Sequence, residues 1–215
     1  MKKFKDFKPK ILVFGDLMID HYLWGSCERI SPEAPVQVVD ITKETTLLGG
    51  AGNVINNLAA LGAEVFVGSV IGDDENGIEL LNMLRNIDVD TSNIITLKSR
   101  KTSKKSRIIA SSQQVLRYDK ESKEQIANEE ADRILDSVNR TVYYYDAVIL
   151  SDYGKGVLSG YFCQKVIELC KKNGIKVFVD PKGSDYSKYK GAYLLTPNKK
   201  EAILASGCLL YTSDA

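Results

Sequence analysis

Histidine is almost missing from this 215-residue sequence: His21, beside Asp20, is the only one. A histidine-based metal cluster is therefore excluded, and a Ser-His-Asp triad would depend on His21 alone, with no Gly-x-Ser-x-Gly elbow to present its serine. Cysteine is scarce as well. Cys27, Cys163, Cys170 and Cys208 form no CxxC pair, which argues against a structural zinc site. Cys163 and Cys170 are seven apart on a predicted helix, so they share a face as small buried hydrophobes. No apolar run approaches the roughly 18 residues of a membrane helix. The basic start, Met1-Lys2-Lys3-Phe4-Lys5-Asp6, leads into Ile11-Leu12-Val13-Phe14-Gly15-Asp16, too short and too soon charged for a signal peptide, so a cytoplasmic protein without a membrane partner is expected. Charge of one sign is also lacking. Lys and Arg total 29 against 28 Asp and Glu, a net charge of +1, which argues against a bulk nucleic-acid binder. Two phosphate motifs are absent: there is no GxxxxGK[ST], and the run from Gly50 lacks the third glycine of GxGxxG.

What is present is the composition of an ordinary globular protein, 44% hydrophobic and 27% charged, long enough for one or two domains. Short apolar runs at 10–14, 65–71, 147–151, 175–179 and 193–195 predict buried parallel strands. Apolar residues at helical spacing predict helices near 54–61, 78–87, 129–138, 160–173 and 199–205, with Gly62 closing the first. The alternation predicts an α/β fold with a parallel sheet. Two stretches without helices, near 22–45 and 94–118, predict a small separate β element such as a lid, with short strands at 36–41, 94–97, 106–110 and 114–118.

Ligands of open parallel sheets bind beyond the carboxyl ends of the strands. Here those ends carry Gly15-Asp16 with Asp20 four residues on, Ser151-Asp152-Tyr153-Gly154-Lys155-Gly156, Asp180-Pro181-Lys182-Gly183 and Thr196-Pro197-Asn198-Lys199-Lys200-Glu201. An Asp after a strand is often only a turn or a cap. Four such ends on one edge point to a site. Carboxylates such as Asp16 and Asp20 can accept hydrogen bonds from sugar hydroxyls. Gly49 and Gly50, before a helix, permit close backbone approach or form a simple tight turn. From 98 to 107 the chain carries Lys98, Arg100, Lys101, Lys104, Lys105 and Arg107 and no acid, either a solvated edge or a lid facing an anion. Arg117, two residues before Asp119, suits a forked contact to phosphate.

Together these residues resemble the ribokinase-like (PfkB-type) sugar kinases, and within them the D-glycero-β-D-manno-heptose 7-phosphate kinases. The resemblance covers about 10–207. The Gly49-Gly50 and Asn198-x-x-Glu201 elements are general to sugar kinases. Arg29-Ile30-Ser31-Pro32-Glu33-Ala34-Pro35 and Ser151-Asp152-Tyr153-Gly154-Lys155-Gly156 are more specific to the heptose kinases. The resemblance implies a three-layer α/β/α domain with a mostly parallel sheet and a β-sheet lid, incomplete at its C-terminus. It implies that Asp16, Asp20, Gly49, Gly50 and Asn53 hold sugar hydroxyls. Lys105, Arg107, Arg117 and Asp119 belong to the segment meeting the substrate phosphate, and Asp152, Lys155 and Lys182 line the same cleft. Asn198, Lys199, Lys200 and Glu201 contact ATP, Glu201 arranging Mg²⁺. The implied reaction moves the γ-phosphoryl of ATP to the anomeric hydroxyl, giving the 1,7-bisphosphate for ADP-heptose and lipopolysaccharide core synthesis, in a protein that dimerises through its lid when intact. Another PfkB-type kinase, or a non-catalytic sugar-phosphate binding module, is the alternative.

The late Gly-Ala-Gly-Asp motif of that family, whose Asp is the general base, is not in this sequence, and no catalytic residue is assigned. The tail Cys208-Leu209-Leu210-Tyr211-Thr212-Ser213-Asp214-Ala215 departs from the family pattern and looks like adaptor or non-coding sequence joined to an interrupted gene. Little or no kinase activity is expected of the chain as it stands.

Overall fold

The computed structural model describes residues 7–207. The basic start at 1–6 and the tail at 208–215, Cys208 included, lie outside the described residues. Six strands form an all-parallel sheet in the order β10-β9-β8-β1-β4-β5: β1 (Lys10–Gly15), β4 (Glu64–Gly72), β5 (Asp90–Leu97), β8 (Ala147–Ser151), β9 (Lys176–Asp180) and β10 (Leu194–Leu195). Their apolar runs follow from burial on both faces. In β1, Leu12 and Phe14 pack on one side and Val13 on the other; in β8, Val148 and Leu150 pack on the first side and Ile149 on the second. The first side is covered by α3 (Asn128–Asn139) and α4 (Gly160–Lys172), the second by α1 (Ala51–Ala60) and α2 (Glu75–Arg85). This is the expected α/β/α arrangement. Each fully buried Leu, Ile or Phe contributes about 1.5–3 kcal/mol.

Local chemistry sets the helix ends. Asp74 caps α2 by accepting from the Gly77 N–H at 2.9 Å, and Ser159 caps α4 by accepting from the Phe162 N–H at 3.2 Å. Cys163 and Cys170 lie two turns apart on the buried face of α4, where burial pushes both thiols up to about 12, so they pack as hydrophobes. Among the described residues no helix is long and apolar enough to cross a membrane.

The second sheet, in the order β3-β2-β6-β7, is the lid: β2 (Leu17–Ile30), β3 (Gln37–Gly50), β6 (Ser103–Ala110) and β7 (Gln113–Lys120). β2 runs antiparallel to β3 and parallel to β6, while β6 and β7 form a hairpin turned at Ser111 and Ser112, both with positive φ (50° and 63°). Two sequence expectations are corrected here. The strand expected at 36–41 is one end of β3, a 14-residue strand whose long hairpin with β2 takes in 17–50. The run 94–97 is not lid: it belongs to β5, parallel to β4 at the sheet edge, because Ile94 packs towards α2 and Ile95 and Leu97 towards the opposite core. Apolarity on both faces suits a covered strand better than a lid strand.

Candidate active site

The strand ends anticipated from the sequence meet at the carboxyl edge of the parallel sheet. Asp16, between β1 and β2, is their hub. Its side chain turns into the loop after β8 and accepts three backbone N–H groups: Tyr153 at 2.9 Å and Lys155 at 3.0 Å on Oδ2, and Val157 at 3.0 Å on Oδ1. At 1% exposure it is an internal anchor, and burial pushes its carboxyl above the usual range although the three N–H bonds pull the other way. Asp152 is also turned inwards. Its Oδ2 accepts from Tyr189 Oη at 2.6 Å and Lys188 Nζ at 2.5 Å, and its Oδ1 from the Gly154 N–H at 2.7 Å. Lys155 pairs with Glu121 at 2.8 Å, both side chains largely buried. Arg100 donates to the carbonyls of Glu124 and Lys155 and so ties this loop to the segment after β7; burial lowers its pKa against the charge of Asp16.

The lid supplies a different set. Its register pairs Asp20 with Lys105 and Tyr22 with Arg107 across β2 and β6, then Lys105 with Asp119 and Arg107 with Arg117 across β6 and β7. Paired residues share a face, so Asp20, Tyr22, Lys105, Arg107, Arg117 and Asp119 stand together. Arg107 Nη1 donates to Asp20 Oδ1 at 2.6 Å and its guanidinium lies 5.1 Å from the Tyr22 ring centroid. Arg117 forks onto Asp119 at 3.1 and 3.2 Å. Gly49 lies against Asp20, since a Cβ there would come within 2.3 Å of Oδ2. Gly50 opens α1 at φ 55°, a conformation open to glycine, and the Ala51 N–H donates to the Asp16 carbonyl at 3.1 Å. Asp20 and exposed Asn53 line a cavity of about 470 Å³ at the lid base with Tyr22, Asn56 and Asn86. His21, on the other lid face, lies 3.1 Å from Ser106 Oγ and 3.2 Å from Glu44 Oε2, away from the sheet edge.

At the start of α5 (Lys199–Ser206), Asn198 and Glu201 form a capping box. Asn198 Oδ1 accepts from the Glu201 N–H and Glu201 Oε2 from the Asn198 N–H, each at 3.0 Å. Lys182, after β9, reaches Glu201 Oε1 at 3.0 Å. Lys199 and Lys200 are exposed on the first turn. The Asn198 N–H, then Lys182, hold the Glu201 carboxyl below its usual 4.5. Asp180, half-buried nearby, is pushed up by burial and by the charge of Glu201. A carboxyl lowered on folding stabilises the fold above its unfolded pKa and loses that contribution as pH falls through the folded value. Glu201→Gln is therefore expected to lower Tm at pH 7 and to converge on the parent as pH falls below 4.5; thermal melts across pH check this, and a constant difference at all pH values would contradict it.

Among the described residues no group of three or more His, Cys, Asp or Glu is placed to hold a metal. Each Glu201 oxygen already accepts one donor, Lys182 on Oε1 and the Asn198 N–H on Oε2, and keeps a further lone pair. The residues at this edge do not form a Mg²⁺ cage of their own.

Sequence reasoning missed Arg100, Glu121, Lys188 and Tyr189 as parts of the site's frame. A local signal existed only for Arg100, inside the basic run. The partners of the others are 34 to 37 residues away in the chain, a separation that no motif spans.

The sequence matches the pfkB family of carbohydrate kinases over residues 8–213. It is 69% identical over 206 residues to Bifunctional protein HldE of Sulfurimonas denitrificans, covering 96% of this chain and 43% of that protein. It is 62% identical over 195 residues to Bifunctional protein HldE of Aliarcobacter butzleri, covering 91% of this chain and 41% of that one. The chain thus spans about two-fifths of the length of these relatives. Among solved structures it is similar to a carbohydrate kinase from Agrobacterium tumefaciens, with a TM-score of 0.69, 20% identity, and coverage of 93% of this chain and 64% of that one.

Proposed function

The chain belongs to the pfkB family of carbohydrate kinases, and from that membership we propose that it is the kinase portion of an enzyme that phosphorylates D-glycero-β-D-manno-heptose 7-phosphate at the anomeric hydroxyl, with ATP as donor, on the way to ADP-heptose. The observation that carries this reading is the lid face that sets Asp20 beside Lys105, Arg107 and Arg117. It offers a carboxylate to hydroxyls and a fork of cations to a phosphate on the same molecule. The high identity to proteins called Bifunctional protein HldE supports the heptose assignment.

In this reading Asp20 and Asn53 orient the sugar, with Gly49 leaving room for the Asp20 carboxylate. The lid cations hold the phosphate, and the start of α5 meets the nucleotide. Phosphoryl transfer needs positioning and charge stabilisation more than covalent chemistry from the protein. Mg²⁺ would supply charge neutralisation on the ATP phosphates and would arrive with them. Asp16 and Asp152 are engaged as internal anchors and Glu201 as a helix cap. The exposed apolar residues of the lid, among them Ile30, Ile41, Leu116 and Tyr118, suit a homodimer through that sheet, and a cytoplasmic location fits the substrates.

The transferred hydroxyl must lose its proton as the O–P bond forms and ADP leaves. The Gly-Ala-Gly-Asp motif whose Asp takes it in the sugar kinases is not in this sequence. A coupled ATP-consumption assay on the 215-residue chain is therefore expected to run ~10²–10⁴-fold below a full-length relative, while heptose 7-phosphate still raises the chain's Tm. Turnover comparable to the relative would refute the first statement. No thermal shift with heptose 7-phosphate, alongside a shift with another sugar phosphate, would move the assignment to a different pfkB kinase.

A further inference from the structure

Asp20 lines the cavity at the lid base but is already engaged on one oxygen. Its Oδ1 receives Arg107 Nη1 at 2.6 Å, and its Oδ2 faces the Gly49 backbone so closely that a Cβ there would come within 2.3 Å. The two side chains are 23% and 20% exposed, so the pair is largely withdrawn from solvent, and the Tyr22 ring backs the guanidinium at 5.1 Å. A sugar hydroxyl that binds Oδ1 must therefore displace Arg107 or share that oxygen with it, and the guanidinium's charge is already neutralised by the carboxylate. Across the same face Arg117 is likewise held by Asp119, and Lys105 lies in register between Asp20 and Asp119 without an ion pair among the described residues.

We propose that the Asp20–Arg107 pair is a latch that makes the sugar subsite answer to the substrate's own phosphate. A phosphate monoester entering at Lys105 offers Arg107 a doubly charged, forked acceptor in place of a single carboxylate oxygen. Arg107 turns to the phosphate while remaining on the Tyr22 ring, and Asp20 is released to accept the hydroxyl. The phosphorylated sugar replaces the contact it breaks, whereas the unphosphorylated sugar breaks the pair and offers Arg107 nothing. Discrimination thus includes a cost against the wrong ligand as well as a gain for the right one. This inference rests on the reading that Asp20 binds sugar hydroxyls and the lid cations bind phosphate.

Because coupling between two sites is reciprocal, inorganic phosphate can stand in for the phosphate of the substrate. The experiment is calorimetric titration of unphosphorylated heptose into the 215-residue chain with and without inorganic phosphate, beside titration of heptose 7-phosphate. Phosphate is expected to tighten binding of the unphosphorylated sugar about twofold to fivefold, the range for a partly shielded ion pair. In Arg107→Met that dependence should vanish, with the unphosphorylated sugar bound more tightly than by the parent and heptose 7-phosphate more weakly. Arg107→Lys, which keeps the charge and loses the fork, should retain part of the dependence, and guards against a folding defect in the methionine variant. If the chain binds heptose 7-phosphate but phosphate leaves the unphosphorylated sugar unaffected, or that sugar is undetectable in both conditions, the latch is overturned and the kinase reading stands. If heptose 7-phosphate does not bind at all, both fall.

Discussion

Asp16→Ala should lower the unfolding free energy by about 3–5 kcal/mol, the largest effect expected of a single substitution at this site. The carboxylate is 1% exposed and is the common acceptor for the N–H groups of Tyr153, Lys155 and Val157. Alanine leaves those donors without their acceptor, the Val157 N–H fully buried and the other two partly so, and each orphaned buried donor costs about 1–3 kcal/mol. The penalty is below their sum because the loop can shift. Asp16→Asn keeps one acceptor oxygen but aims an NH₂ group at donors, so it should cost about 2 kcal/mol. Urea unfolding followed by circular dichroism measures both. A midpoint for Asp16→Ala equal to that of the parent would mean that the 153–157 loop does not depend on this carboxylate.

Gly49→Ala should act on binding rather than on folding. A Cβ at 49 would come within 2.3 Å of Asp20 Oδ2, 2.8 Å of its Cγ and 3.0 Å of Met18 Cγ. The end of the Asp20 side chain must move, and its bond to Arg107 limits where it can go. Losing a hydrogen bond to a charged group costs about 1.5–3 kcal/mol, or about 10- to 100-fold in affinity. Affinity for heptose 7-phosphate, measured by calorimetry on the same chain, should fall by about that factor, with a Tm change much smaller than that of Asp16→Ala. Unchanged affinity would show that Asp20 does not touch the sugar. The expected pair of results, lost stability at Asp16 and lost affinity at Gly49, would separate Asp16 and Asp20, four residues apart and read alike in the sequence, into a structural anchor and a ligand group.

The parallel strands were legible because burial on both faces forces continuous apolar runs, as in Ile11-Leu12-Val13-Phe14 and Ala147-Val148-Ile149-Leu150. The site's edge was legible for a related reason. Polar residues collect where those runs stop, and parallel strands all stop at the same edge. The short run 94–97 went astray because its length and its neighbours suit a lid strand as well as an edge strand. Only the pairing of Ile94 with Ser69 on β4 distinguishes them. Asn198-x-x-Glu201 shows the opposite ambiguity. The motif resembled a nucleotide element, and the same four residues are a complete capping box. Both roles can belong to one segment, since a capped helix start is a rigid place from which to meet phosphates.

By itself the sequence determined the parallel α/β character of the fold, the edge at which polar groups gather, and the residue types available there. Those follow from periodicity and from where apolar runs end, which are properties of neighbouring residues. Only the tertiary structure decided which way each carboxylate faces. Asp16 is spent on N–H groups 137 to 141 residues further along the chain, and Asp20 meets an arginine 87 residues away through strand register. A carboxylate goes to whichever donors come within about 3 Å of it, and sequence neighbours do not determine which donors those are.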